Sequence, residues 1–331
     1  MTQTTSLRND WAGGLKAFAG RNQQVLTIYG VLVVIVIVGA IVAPRFTSSQ
    51  NLFNVLLQAV ALGLVAIGQT MAILSGGLDL SVGATISMVA VYSSGLMAGR
   101  EGIGVFVPVL LLTLVMALAV GFINGQLVSK LRVPAFIATL SMGAVVQGVV
   151  LLYAKRPVGG ISPEWSFLAN ATVGPVPVGV IFLALALAVA IFILGRTVLG
   201  RYVYAVGGNV ETARLSGIRT ARILTFAYMA SSFMAAMSAF FLISRMGIGD
   251  PQVGGLNYQA YDLESIASVL IGGTVLGGGA GGVIGTIAGV LIITVLNNIF
   301  NLVGISAFYQ WIFKGAIMIA AVAVYRSQRR R

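Results

Sequence analysis

The chain alternates long apolar runs with short polar connections. A helix of roughly 20 apolar residues is long enough to cross the ~30 Å hydrocarbon core of a bilayer. Ten runs approach this length, and they predict an all-α, polytopic membrane protein of about ten transmembrane helices. The predicted spans are residues 25–43, 52–75, 80–98, 103–129, 134–154, 177–195, 223–244, 263–277, 283–302 and 307–325.

The composition supports this fold class and narrows the chemistry. Of 331 residues, 58% are hydrophobic and only 8% are charged, whereas soluble domains carry about 25% charged residues. The sequence has no Cys and no His, which excludes disulfides, thiolate nucleophiles, the usual zinc ligands and the commonest general base. It also lacks a G-x-x-x-x-G-K-[ST] phosphate-binding loop. We therefore expect neither an intramembrane enzyme nor a cofactor or metal on this chain.

The distribution of positive charge predicts the orientation in the membrane. With the N-terminus inside and ten crossings, fourteen Lys and Arg residues fall on the inner side and five on the outer side. Basic residues favour the cytoplasmic side, so both termini are predicted to be cytoplasmic. The net charge of +12 thus indicates topology and not nucleic-acid binding. The predicted organisation is an uncleaved tail at 1–24, a membrane domain at 25–325 and a basic tail at 326–331.

Three connections are longer than the rest: 155–176 and 245–262 outside, and 196–222 inside. The first is expected to be an irregular cap with Trp165 as an interfacial anchor. The two outer loops, with the residue just beyond them, hold four acidic side chains. They are either solvated or available to basic residues of a protein that docks outside. These residues are Glu164, Asp250, Asp262 and Glu264.

The inner loop contains the pattern of a short helix outside the membrane. Asn209 suits the N-cap, Glu211 suits the first turn, and Gly217 suits a left-handed C-terminal position. Ala213 and Leu215 lie between them. A helix of about two turns is unstable alone. It either packs on the ends of its own spans or docks in a groove of a second, soluble protein.

Polar residues also occur in or at the ends of the spans. Neutral amides and phenols suit a path for hydroxyl-rich solutes, but they also join helices by hydrogen bonds. The candidates for a translocation path are Gln58, Gln69, Asp79, Asn124, Asn297, Asn298, Asn301, Tyr309 and Gln310, and Gln147 has the same character.

Two charged positions have alternative interpretations. Asp79 lies in the break at 76–83, where it either caps the next helix or lines a path at membrane depth. Lys314 lies near the middle of the last predicted span, where an unpaired charge is costly. We expect Lys314 to form a structural ion pair with Asp79, Asp262 or Glu264.

Glycine is concentrated near the end of the chain, with nine residues between Gly272 and Gly289. Gly277, Gly279 and Gly282 match G-x-G-x-x-G, but no strand precedes them and no acidic residue follows to bind a ribose. We therefore expect close helix packing and a tight turn between two spans.

The energy source follows from what the spans lack. Carriers coupled to ion gradients usually place Asp, Glu or His inside their helices. Here the acids fall in tails, loops or helix ends, with Asp79 as the ambiguous case. The long inner loop instead predicts energy from a separate ATPase that contacts 196–222. The alternative is an ion-coupled secondary sugar carrier.

A series of runs resembles one family, the permease subunits of ribose-type sugar ABC importers. The similarity extends from about Val25 to Arg326, with Thr212 and Pro134 as mild departures from the family pattern. In chain order the runs are NLFNVLLQ from Asn51, SGGLDLSVG from Ser75, PAFIATL from Pro134, LGRYVYAVGGN from Leu199, ARLSGI from Ala213, LIGGTVLGG from Leu270, LNNIFNLVG from Leu296 and FYQ from Phe308.

The resemblance implies a function and a set of partners. It implies an inner-membrane permease that works as a homodimer with a cytoplasmic ABC ATPase and a periplasmic sugar-binding protein. ATP and Mg²⁺ would bind to the ATPase, and the solute would be ribose or a related pentose or hexose. The coupling helix of the family would be formed here by Glu211, Ala213 and Gly217.

Overall fold

The structure is a computed structural model that describes residues 23–100, 102–255, 260–306, 308–313 and 315–316. The described residues form twelve named helices, one two-stranded antiparallel hairpin and a further helical segment that begins at Phe308. The helices are α1 (Gln23–Val42), α2 (Ser49–Leu74), α3 (Val82–Met97), α4 (Ile103–Ser129), α5 (Ala135–Tyr153), α6 (Pro163–Asn170), α7 (Val178–Arg196), α8 (Val198–Gly208), α9 (Val210–Leu215), α10 (Thr220–Met246), α11 (Tyr261–Ile271) and α12 (Val283–Val303), with β1 (Thr172–Val173) and β2 (Val176–Pro177) before α7.

Seven of the described helices are long and apolar enough to cross a membrane: α1, α2, α4, α5, α7, α10 and α12. Each coincides with a predicted span to within a few residues. The predicted spans 80–98 and 263–277 contain shorter helices of 16 and 11 residues, α3 and α11. Residues 308–313 and 315–316 of the last predicted span are helical, and the rest of it lies outside the described residues. The total of about ten crossings and the side of each terminus remain predictions.

Helices α2 and α10 form the centre of the molecule. The most apolar windows of these two helices are 83% and 72% buried, compared with 11–28% for α1, α4, α5 and α7. Glycines allow close packing here, because a β-carbon on Gly125 of α4 would lie 2.5 Å from Thr225 Cα of α10. The outer helices expose Leu, Ile, Val and Phe to their surroundings, as expected for surfaces that contact lipid.

The loop at 155–176 is more ordered than the sequence predicts. It contains α6 and the β1–β2 hairpin. Trp165 is 3% exposed, so the expectation of an interfacial anchor is wrong. Its indole nitrogen donates to the Phe240 carbonyl at 2.9 Å, and the ring packs edge-on against Phe106 and Phe240. The Trp side chain therefore fixes α6 to α10.

The segment 248–255, which we call the re-entrant segment, folds back along α3. Gly249 pairs with Val158 of the loop at 155–176, and a β-carbon on it would lie 2.5 Å from the Ala90 carbonyl. Five residues later, the Gly254 amide donates to Ser87 Oγ at 3.1 Å. A β-carbon on Gly254 would lie 1.9 Å from the Gly83 carbonyl. The segment thus runs from the end of α3 towards its beginning.

Helix α11 begins where this segment reaches the start of α3. Asp262 and Glu264 lie in the first turn of α11, and Glu264 is 5% exposed. Asp262 Cγ lies 4.0 Å from where a β-carbon on Gly83 would stand. These two carboxylates therefore do not belong to an exposed loop, as the sequence suggests, because the chain before them re-enters the helix bundle.

The glycines after α11 act as the sequence predicts. A β-carbon on Gly285 of α12 would lie 2.0 Å from the Gly272 carbonyl, and one on Gly289 would lie 2.0 Å from the Ser268 carbonyl. The intervening turn contains positive-φ glycines, among them Gly273, Gly278 and Gly279. Small residues thus let α11 and α12 pack with their backbones in contact.

Candidate functional site

The loop at 196–222 contains a short capped helix, α9, most of whose residues are exposed. Asn209 accepts a hydrogen bond from the Thr212 amide at 2.9 Å through Oδ1, as an N-cap does. After α9 the chain turns at Gly217, whose φ of +84° lies in the left-handed region. The Ile218 amide donates to the Ala213 carbonyl at 3.1 Å and closes the helix. The local sequence thus determines both ends of α9.

The two faces of α9 differ in their surroundings. Ala213 is 4% exposed and packs in the hydrophobic core. Leu215 is 76% exposed and Val210 is 45% exposed. The face of α9 that contains Ala213 therefore packs against the rest of the protein. The apolar side chains of Val210 and Leu215 lie on the exposed side. Such a surface suits contact with a partner protein.

A charged pair also lies on the exposed side of α9. Arg214 Nη2 donates to Glu211 Oε1 at 2.5 Å, and Nε donates to Oε2 at 3.1 Å. The Arg214 guanidinium lowers the pKa of the Glu211 carboxyl below its ordinary value. Because both side chains are more than 60% exposed, this pair adds little to stability. The hydrogen bonds hold the Glu211 and Arg214 side chains in a defined orientation on the exposed side of α9.

The break between α2 and α3 encloses a carboxylate within protein. Asp79 is fully buried, and its Oδ1 accepts from the Ser81 amide at 3.0 Å and from Ser81 Oγ at 2.6 Å. The Asn124 side-chain amide donates to Ser81 Oγ at 2.8 Å. When the side-chain amide of Gln69 is assigned from its hydrogen-bond partners, its nitrogen donates to the Asp79 carbonyl and its oxygen accepts from the Asp79 backbone amide. Asp79 therefore shapes the break and also lies deep inside the bundle.

Several polar atoms around this carboxylate lack a hydrogen bond of standard geometry among the residues that the structure describes. Such buried atoms are uncommon and usually have a functional or hydration role. We call the group formed by Asp79, Asn124, Tyr228, Ser231 and Ser232 the polar cluster. Within it, Ser231 interacts with the Asp79 carboxylate and Tyr228 with the backbone of Leu78. The atoms without a hydrogen bond of standard geometry are Asp79 Oδ2, Asn124 Oδ1, Tyr228 OH, Ser231 Oγ and Ser232 Oγ.

The sequence does not identify the three α10 members of the polar cluster. Tyr228, Ser231 and Ser232 lie in a helix that the hydropathy pattern predicts only as a span. Their signal is the spacing of polar side chains three and four residues apart, which places them on one face of α10. That face meets Gly121 of α4, where an added β-carbon would lie 2.9 Å from Ser232 Oγ.

The remaining candidate path residues lie apart from the polar cluster. Asn298 of α12 and Asn51 of α2 exchange reciprocal amide hydrogen bonds of 2.8 and 2.9 Å. The Gln310 amide donates to Asn301 Oδ1 at 2.9 Å. Tyr309 is 62% exposed. These residues lie around the C-terminal end of α12. The structure therefore does not bring all nine candidates together along one path.

Four other predicted positions complete this comparison. Gln58 and Asn297 are half-buried. The Gln147 side-chain amide donates to the Pro251 carbonyl at 3.0 Å and so holds the re-entrant segment, residues 248–255, against α5. Lys314 lies outside the described residues, and its ion pair remains a prediction, as do the roles of the path residues.

Comparison with known proteins identifies relatives along nearly the whole chain. Residues 51–322 match a family described as branched-chain amino acid transport system / permease component. The ribose import permease protein of Bacillus subtilis is 37% identical over 94% of this chain and 95% of its own length. The ribose import permease protein of Haemophilus influenzae is 36% identical over 88% and 90%. The D-allose transport system permease protein of Escherichia coli is 31% identical over 91% and 90%. No solved structure matches.

Proposed function

The chain belongs to the branched-chain amino acid transport system / permease component family, and from this membership we propose that it forms the translocation path of an ATP-driven monosaccharide importer. It is a multi-pass protein of the inner membrane and a transporter subunit, not an enzyme. The observation that carries the proposal is the end-to-end similarity to ribose import permeases, at 35–37% identity. The proposed substrate is taken from the names of those relatives, which import ribose, and not from the family description, which names branched-chain amino acids.

The proposed solute is ribose or a related pentose or hexose. Relatives named for galactose and D-allose are less similar, at 32% and 31% identity. Neutral amide and hydroxyl side chains, such as those of the polar cluster, suit a sugar whose hydroxyl groups both donate and accept hydrogen bonds. A binding protein would select the sugar, and the permease would provide a conduit that binds it weakly.

The proposed partners are a cytoplasmic ABC ATPase, a periplasmic binding protein and a second copy of this chain. ATP and Mg²⁺ would bind to the ATPase. Helix α9 supports the contact with the ATPase, because it is capped by Asn209 and exposes Leu215 next to the Glu211–Arg214 pair. Closure of the ATPase would push α9 and shift the conduit between outward-open and inward-open states. Asn209, Glu211, Ala213, Leu215 and Gly217 are the proposed coupling residues.

Reconstitution tests the proposal. The permease, its ATPase and its binding protein are placed in proteoliposomes, and uptake of radiolabelled ribose is measured with and without ATP. We expect accumulation that needs all three components and ATP, and that persists when an uncoupler removes ion gradients. Galactose and allose serve as competitors that rank the solutes.

Liposomes that contain the permease alone provide the decisive control. If they accumulate ribose against its gradient, and an uncoupler abolishes the accumulation, the chain is an ion-coupled carrier and the proposal is wrong. Because carriers of that kind use acidic residues inside their helices, the same preparation with D79N would then lose uptake.

A further inference from the structure

Three backbone segments meet near α9 without side chains between them. They are the end of α2, the end of α8 and the turn between α11 and α12. The Gly279 amide donates to the Leu74 carbonyl at 3.0 Å. A β-carbon on Gly207 would lie 1.7 Å from the Leu74 carbonyl oxygen. We call the contact formed by Leu74, Gly76, Gly207, Gly278 and Gly279 the glycine junction.

The third segment closes the glycine junction as tightly. Gly278 has a φ of +83°, and a β-carbon on it would lie 2.8 Å from Gly207 Cα and 2.8 Å from the Gly76 nitrogen. Gly76 itself has a φ of +88°. A β-carbon has no room at Gly207 or Gly278, so the three backbones pack directly against each other and a push on one of them is passed to the others.

One side of the junction is connected directly to α9. Gly207 lies two residues before Asn209, the cap of α9. The Asn209 amide donates to the Ala205 carbonyl of α8 at 3.1 Å. Since no flexible loop separates α8 from α9, a push on α9 reaches Gly207 through at most two residues.

The other side of the junction is connected to the polar cluster. Asp79 lies five residues after Leu74. The Gly76 and Gly77 amides donate to the carbonyls of Ile73 and Ala72, each at 2.9 Å, and so fix this stretch to the end of α2. Further along the break, Thr139 of α5 donates to the Leu78 carbonyl at 3.2 Å. A shift at Leu74 is therefore transmitted to the break that holds Asp79.

We infer that the glycine junction transmits the movement of α9 to the break between α2 and α3, with Gly207 and Gly278 as positioning residues for transport. This inference rests on the proposed function, since the ATPase supplies the movement. The junction itself contacts neither the solute nor ATP. Its task is to keep three backbones in contact, so that the two sides of the membrane domain change state together.

The first test compares Gly207→Ala with Gly208→Ala. The new β-carbon collides with the Leu74 carbonyl in the first variant, whereas Gly208 has nothing within 4 Å and serves as the matched control. Each variant is reconstituted with the ATPase and binding protein. We expect Gly207→Ala to keep basal ATP hydrolysis and to lose stimulation by the loaded binding protein, with about tenfold less ribose imported per ATP. Gly208→Ala should behave as the unaltered complex does.

A second pair separates contact from backbone strain. Gly278→Ala places a β-carbon against Gly207, while Gly304→Ala has a similar φ of +79° and nothing within 4 Å. Both variants carry the strain of a left-handed residue, but only the first disturbs the junction. We expect Gly278→Ala alone to reproduce the uncoupled ratio of ribose to ATP.

The outcomes distinguish the two proposals. If the unaltered complex itself fails to import ribose with ATP, the proposed function is wrong. If the unaltered complex works and Gly207→Ala and Gly278→Ala import ribose with the normal ratio, the junction inference alone is wrong. It is also wrong if these two variants fail to co-elute with the ATPase while both controls succeed, because the junction would then be a folding element.

Discussion

The carboxylate of Asp79 is held by the chain around it and not by a neighbouring cation among the described residues. Oδ1 accepts two hydrogen bonds from Ser81, and the Ser231 hydroxyl interacts with the carboxylate. The break therefore depends on Asp79 as an acceptor. An asparagine keeps one acceptor oxygen at this position, whereas an alanine leaves the buried Ser81 amide unsatisfied.

We predict that D79A destabilises the permease by about 2 kcal/mol, the cost of leaving a buried donor without its acceptor. D79N should remain close to the unaltered protein. Thermal unfolding in detergent measures both, and E164A on the exposed surface of α6 is the control for a lost carboxylate. A D79A variant as stable as D79N would show that the Ser81 bonds do not hold the break.

The sequence could identify Asp79 as special but not as buried. A Gly-Gly-Leu-Asp-Leu-Ser run has the same capping chemistry at a surface and at depth, because both are local. Burial depends on Gln69, Asn124 and Ser231, which lie far from Asp79 along the chain. Asn209 and Gly217 are the converse case, since the cap and the left-handed turn that bound α9 are local and were predictable from the sequence.

At the scale of elements, helix length decided which predictions succeeded. The seven long apolar helices follow directly from hydropathy. The predicted span 80–98 agrees with α3 to within two residues at each end, although α3 has only 16 residues. The predicted span 263–277 extends six residues too far, because α11 ends at Ile271 before Gly272 and Gly273, and Gly273 has a positive φ. The re-entrant segment at 248–255 resembles a loop, since its glycines and Pro251 break helices. Its packing on α3 depends on Gly83 and Ser87, which a local pattern does not link to it.

Helix α9 carries a prediction about association with the ATPase. L215A should weaken binding of the ATPase about tenfold, because burial of a Leu side chain contributes roughly 1.5–3 kcal/mol. V173A removes methyl groups from a residue that is 62% exposed on the hairpin before α7 and should leave binding unchanged. Titration of the ATPase against labelled permease in nanodiscs measures both affinities. Equal affinities would exclude Leu215 from the interface.

At the scale of the whole molecule, a central pair of helices is surrounded by helices that expose apolar side chains. The loops at 155–176 and 245–262 meet at Val158 and Gly249. The glycine junction joins the C-terminal ends of α2 and α8. The polar cluster lies between these two regions, where α3 begins and α4 and α10 pass. An importer that alternates its access needs contacts on both sides of a central site.

The orientation of this architecture can be tested because the chain has no native cysteine. V173C on the hairpin before α7 and S216C after α9 each provide one exposed thiol on a clean background. Between Val173 and Ser216, α7 is the one described helix long and apolar enough to cross the membrane, because α8 and α9 are too short. The excess of positive charge around 196–222 predicts that this loop is cytoplasmic. A membrane-impermeant maleimide should therefore label V173C in intact spheroplasts and S216C only after permeabilisation. The reverse pattern would invert the orientation, and labelling of both from outside would contradict a crossing by α7.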